Sequence, residues 1–233
     1  MPIVQNPSIG AGAAPLLDTT VNLTAAQILA LSGTPVILIP APGAGKMVVV
    51  FLLALSYSAG SIMYGALAGD TLDVEYVAAS GIDAIQQVQD FISGTPSSVA
   101  VLGGSYANNS LPTADAVNQA VQLRALQTYP AGAILTSTLG AGGAGYAIGD
   151  TGTIEDGSDN ATYKVLTVDG SGAVLTYQVT DAGQEYTVEN AIPTVNGGAQ
   201  PGVGVGFTVN VTAVTLGNGT LKVVTYYQII PVP

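Results

Sequence analysis

One short pattern occurs twice in this chain, and it constrains the fold more than any other feature of the sequence. Gly, two residues, Tyr, one residue, an aliphatic, one residue and then Asp or Asn runs through GAGGAGYAIGDTGTI (140–154) and returns in DAGQEYTVENAIPTV (181–195). The copies pair Tyr146 with Tyr186, Ile148 with Val188 and Asp150 with Asn190. Between them, 162–168 alternates, Asp169 to Gly172 supplies a turn, and 173–180 alternates again with Leu175, Tyr177 and Val179 on one face. That is the signature of a β-hairpin. We read 139–213 as a small β-domain inserted into a larger one.

The flanking chain is also β-like. Residues 34–40 (TPVILIP) and 71–78 (TLDVEYVA) read as strands, the second with Leu72, Val74 and Tyr76 inward and Asp73 and Glu75 on a wet face. Residues 47–69 carry no charge over 23 positions, long enough for a membrane span. Val-Val-Val and Phe at one end, with Ser and Gly in the middle, favour two buried strands joined near Ala59 and Gly60 instead. Residues 117–126 return to the sheet with Val121, Leu123 and Ala125 on one side, and 207–211 alternates through Phe207, Val209 and Val211. The final run, 220–230, is apolar enough to be a central strand.

One or two short helices are expected. Thr24 to Gln27 fits a capping box, with Ile28, Leu29 and Leu31 as the apolar face and Gly33 at the C-terminal cap. Ile85, Val88 and Ile92 have helical spacing within 82–92, where a loop fits equally well. Residues 97–112 read as a long surface connection. The resulting fold class is all-β: an antiparallel β-sandwich or jelly-roll-like domain (21–138 and 214–233), an N-terminal arm (1–20), and the inserted domain.

Composition limits the chemistry. The 233 residues include no Cys and no His, which removes thiol catalysis, thiolate metal sites and the commonest general base. Fifteen acidic residues face four basic ones, for a net charge of −11, so a phosphate-neutralising patch for nucleic acid is not expected. No secretory signal is evident at the start, and no membrane association is expected. The turn APGAGK (41–46) fails as a phosphate loop, because Pro40 stands where its first Gly belongs and Met47 where its hydroxyl residue belongs.

Carboxylates remain. Asp73 and Glu75, beside Asp70, could pair on one strand face, but a solvated sheet face is the simpler reading. Glu155, Asp156 and Asp159 sit in a turn able to offer oxygen ligands to calcium, although Asp and Gly are ordinary turn residues. Tyr146 and Tyr186 are module core residues, with carbohydrate stacking as the alternative role. No cofactor and no catalytic residue is expected.

The order of motifs resembles a group of small β-rich structural proteins of tailed bacteriophages. The carriers are the capped helix, TPVILIPAPGAGK (34–46), the hydrophobic strand after it, and GNGTLKVVTYYQII (217–230). GAGYAIGDTGTI (143–154) is similar to a Gly-x-Gly-Tyr module of phage virion proteins. Together these cover 22–55 and 139–230; residues 70–130 resemble nothing in the group. The resemblance implies a non-enzymatic accessory virion protein. Its main form would be a capsid decoration (cement) protein on the outer surface of the head, binding the major capsid protein lattice as a homo-oligomer, for example a trimer. The alternative is a tail or fibre component whose inserted module binds a host receptor or glycan.

Overall fold

The computed structural model describes residues 14–65, 70–77, 83–85, 87–92, 97–103, 116–156, 161–197 and 204–232. Among the described residues there are fourteen strands and one helix: β1 (Leu17–Leu23), α1 (Ala25–Ala30), β2 (Val36–Ile39), β3 (Lys46–Ser58), β4 (Thr71–Tyr76), β5 (Val88–Gln89), β6 (Ser98–Gly103), β7 (Val121–Ala125), β8 (Gly132–Ala144), β9 (Thr151–Ile154), β10 (Ala161–Val168), β11 (Val174–Asp181), β12 (Glu189–Asn196), β13 (Val205–Leu216) and β14 (Thr220–Pro231). Every ladder is antiparallel. The fold is all-β, as its alternating apolar patterns require.

Two four-stranded sheets, β1-β14-β3-β6 and β2-β7-β4-β5, make the sandwich. One apolar cluster lies between them, with Val48, Val50, Leu53, Leu55, Leu221 and Val223 facing Leu72, Val74, Val121 and Leu123. Each such side chain removed from water contributes roughly 1.5–3 kcal/mol. The Tyr76 hydroxyl donates to the Val48 carbonyl and ties one sheet to the other. β14 lies between β1 and β3, so the C-terminal run is central as its apolarity predicts.

Helix α1 carries the expected capping box: the Thr24 hydroxyl accepts from the Gln27 amide, and the Gln27 side chain accepts from the Thr24 amide. Six residues are too few for independent stability; buried Ile28 and Leu31 hold the helix on the sandwich.

The third sheet runs β11-β10-β9-β12-β13-β8 and surrounds a second core. At its centre Phe207 meets Tyr146, Tyr163 and Tyr177 edge-on, with ring centroids 5.0–5.8 Å apart. The sheet curls until its edge strands β8 and β11 face each other. Ile134 N–H donates to the Ala182 carbonyl at one end of this seam, and Tyr146 N–H to the Gly172 carbonyl at the other. Midway, the Tyr177 hydroxyl donates to Ser137 Oγ at 2.7 Å. The result is a nearly closed barrel.

Exchanging β8, β9 and β10 with β11, β12 and β13 reverses the strand order and leaves the neighbours unchanged, so the sequence repeat is a pseudo-two-fold of the barrel. Gly143 and Gly183 both have positive φ, 65° and 60°, a region that costs glycine nothing. The loops that follow each cross one end of the barrel and seat a buried Tyr.

Several expectations are corrected. The arm assigned to 1–20 overlaps β1, which starts at Leu17; residues 1–13 lie outside the described residues. β3 is one 13-residue strand, and the described residues after it reach an isolated bridge between Gly65 and Ala131; 66–69 lie outside the described residues. Among the described residues no helix is long and apolar enough to cross a membrane. The helical spacing within 82–92 yields the two-residue strand β5, because Leu72 and Thr71 of β4 offer Val88 and Gln89 a ladder. β6 falls inside the stretch read as a surface connection, since β3 has a free edge there to pair with it. Leu175 is turned outward from Tyr177 and Val179, because paired register shifts set Leu166 and Leu175 out of the β10–β11 ladder.

Candidate functional site

Carboxylates are the chemistry that the sequence offers. Asp73 and Glu75 of β4 are 3% and 4% exposed, so the wet face expected there is covered. β7 supplies their partners in register: Asp73 lies opposite Arg124, and Glu75 opposite Gln122. Gln122 Nε2 donates to Glu75 Oε1 at 2.8 Å, and Arg124 Nη1 stands 3.8 Å from the same oxygen. Asp83 is bridged to Glu75 across the strand edge. Asp73 Oδ1 has no hydrogen-bond partner. Burial pushes the Asp73 carboxyl up to about 6, Asp83 and Glu75 add to the rise, and Arg124 opposes it. Asp83 is raised by burial and by Glu75. Asp70 stands apart, accepting from the Ile92 amide and the Tyr129 hydroxyl.

Of the calcium candidates, Glu155 and Asp156 lie among the described residues. Glu155 Oε1 accepts from the Thr153 hydroxyl at 3.2 Å, and Glu155 N–H donates to the Pro193 carbonyl. Asp156 follows on the same turn, and Asp159 lies outside the described residues. Among the described residues no three Asp, Glu, His or Cys side chains gather into a metal-binding group.

Tyr146 and Tyr186 are 4% and 0% exposed, which corrects any carbohydrate-stacking role for either ring: neither has a face to present. Their hydroxyls differ. That of Tyr186 donates to the Ile154 carbonyl at 2.6 Å and accepts from the Ala161 amide at 3.1 Å, closing the mouth of the β9–β10 hairpin. That of Tyr146 is buried beside the Tyr163 hydroxyl and makes no hydrogen bond of good geometry. Where the seam of the barrel opens, Ser137, Thr138, Leu139, Leu175, Thr176, Tyr177 and Val179 line a shallow groove of about 320 Å³.

The feature that sequence reading missed is the outer face of the β1-β14-β3-β6 sheet. Three cross-strand rows build it. The first is Asn22, Lys222, Ser56 and Val99; the second Thr20, Val224, Ala54 and Val101; the third Asp18, Tyr226, Leu52 and Gly103. The alternate positions, such as Val223, Leu55 and Leu53, are buried in the sandwich core. Val99 and Val101 are 71% and 61% exposed. None of Leu52, Ala54, Val99, Val101, Val224 and Tyr226 belongs to or packs against either core. The twelve positions carry two charges, Asp18 and Lys222. Phe51, set outward where the β3–β14 register shifts, extends the patch at 44% exposure. The available signal was apolarity at both parities along β3 and β14, which reads as deep burial until β6 is recognised as the edge.

No protein-family model matches the chain, and neither does a curated protein or a solved structure.

Proposed function

We propose that this chain is a non-enzymatic structural protein of a tailed-phage particle: a capsid decoration (cement) protein that binds the major capsid protein lattice from outside as a homo-oligomer. The observation that carries the homo-oligomer part of this reading is the outer face of the β1-β14-β3-β6 sheet, where Val99, Val101 and Phe51 stand exposed. Contiguous apolar surface with a polar rim marks a protein contact, and this one is built on all four strands of one sheet, with β14 and β3 at its centre. Of the segments that carry the phage resemblance, the hydrophobic strand β3 and the closing strand β14 are neighbours in that sheet, whereas TPVILIPAPGAGK supplies β2 of the opposite one. An acidic chain on the outer surface of a DNA-filled shell also keeps particles apart in suspension.

Antibody-gold labelling of intact particles tests the assignment. Label spread over the head supports decoration. Label confined to the tail moves the inserted module towards host recognition, through the seam groove rather than the two buried tyrosines. Absence of label from purified particles removes the virion assignment.

A further inference from the structure

We infer that the outer face of the β1-β14-β3-β6 sheet is a two-fold interface between copies of this chain. This deepens the homo-oligomer part of the reading above, rests on it, and names the partner of that face.

The argument is complementarity. A two-fold axis in the interface plane, running along the row Thr20–Val224–Ala54–Val101, lays the third row of one copy over the first row of the other and stacks the middle row on itself. Each opposition between the outer rows then joins unlike partners, while Thr20, Val224, Ala54 and Val101 each meet their own copy. Leu52 covers the partner copy's small Ser56. Exposed Val99 enters the space left by Gly103, which has no side chain. The Tyr226 ring lies on the Lys222 stem, an apolar and cation–π contact in one. Asp18 lands over Asn22, one strand away from Lys222, and the symmetry repeats that charge pair on the other side of the axis. The other in-plane two-fold, parallel to the strands, sets Lys222 over Ser56 and Asp18 over Gly103 and leaves both charges without a partner. A self-complementary patch of this kind is what an isologous contact requires, and two sheets packed face to face are a standard architecture.

Full-length wild-type protein, measured by light scattering after size exclusion and by sedimentation velocity at about 50 µM, is expected to be a dimer or an even-numbered assembly of dimers. Placing lysines on the axis row, Ala54→Lys with Val224→Lys, brings like charges together and is expected to give monomer, with circular dichroism checking that the sheet content is kept. The charge swap is independent of that variant. Asp18→Lys alone is expected to weaken dimerisation about tenfold, and Asp18→Lys with Lys222→Asp to restore it. A monomeric or trimeric wild type overturns the two-fold interface, as does a charge swap that fails to rescue. Neither result touches the virion assignment, which particle labelling decides separately.

Discussion

Asp73→Asn should make the folded protein more stable at neutral pH and leave it nearly unchanged at pH 4. In the native sandwich the Asp73 carboxyl is buried beside Glu75 and Asp83, and its proton is held up to about 6, against 3.8 for the free group. Because the folded-state value is the higher one, the folded chain binds more protons than the unfolded chain between those two values. Stability therefore falls as pH rises through that window and stays lower above it. At 1.36 kcal/mol per unit, the window of about two units corresponds to at most ~3 kcal/mol lost between pH 4 and pH 7. Arg124 is already included as the opposing charge.

An amide in place of the carboxylate removes the charge and its repulsion of Glu75 and Asp83 while keeping the shape. Urea unfolding of both proteins from pH 3.5 to pH 7.5 gives the test, because titrating groups remote from Asp73 are common to the two and cancel in the difference, leaving Asp73 and its coupling to Glu75 and Asp83. The expected difference curve is flat near zero at low pH and rises to about 1–3 kcal/mol in favour of the variant by pH 7, with its midpoint between the two carboxyl values. Parallel curves, or a variant destabilised throughout, would show that Arg124 neutralises Asp73 and that the burial argument is wrong. Asp83→Asn should move the midpoint towards lower pH, since it removes one of the two repulsive neighbours.

Three further outcomes follow from packing. Tyr186→Phe leaves the Ile154 carbonyl and the Ala161 amide without their buried partner and should cost about 1–3 kcal/mol; Tyr146→Phe removes a hydroxyl that makes no hydrogen bond of good geometry and should be within about 0.5 kcal/mol of wild type in the same denaturation assay. Phe207→Ala empties the centre of the barrel, where three tyrosine rings meet it, and should cost about 3–5 kcal/mol by calorimetry. Gly60→Ala would put a methyl 1.9 Å from Asn218 Oδ1 and 2.7 Å from the Asn218 backbone carbon, so it should lower the thermal midpoint measurably, whereas Gly33→Ala, with open space around it, should not.

What could be read from the sequence was whatever period two controls. The β10–β11 hairpin, the inward set Phe207, Val209 and Val211, and the central place of β14 all follow from alternation or continuous apolarity in one segment. What could not be read depended on a partner strand. Val99 and Val101 sit in a stretch rich in Gly, Asn and Ser, and only the free edge of β3 makes a strand of them. Asp73 and Glu75 alternate like solvated residues. Their covered state comes from Gln122 and Arg124, some fifty positions away. The outer sheet face combines both cases, since its rows draw on β1, β3, β6 and β14 at once and no single segment shows them.

The duplicated motif shows how one pattern takes on two roles. Entry to the barrel at Gly132 and exit at Leu216 are paired with each other, so the sandwich attaches at that end. The second copy of the motif lies there. Gly132 and Tyr186 exchange both backbone hydrogen bonds at 2.8 Å, and the Met63 amide donates to Gln184 Oε1 at 3.2 Å. The first copy closes the far end, where Val205 pairs with Ala144. Docking against the sandwich fixes the second loop from both sides and leaves its Tyr hydroxyl fully bonded. The first loop is fixed by its own turn, with Asp150 Oδ2 accepting from the Ala147 amide, and its Tyr is held by its backbone bond to Gly172 and by ring packing. Asp150 is accordingly buried while its counterpart Asn190 is exposed. The repeat conserves the glycine and the ring, which close a barrel end. The polar positions diverge because the two ends face different surroundings.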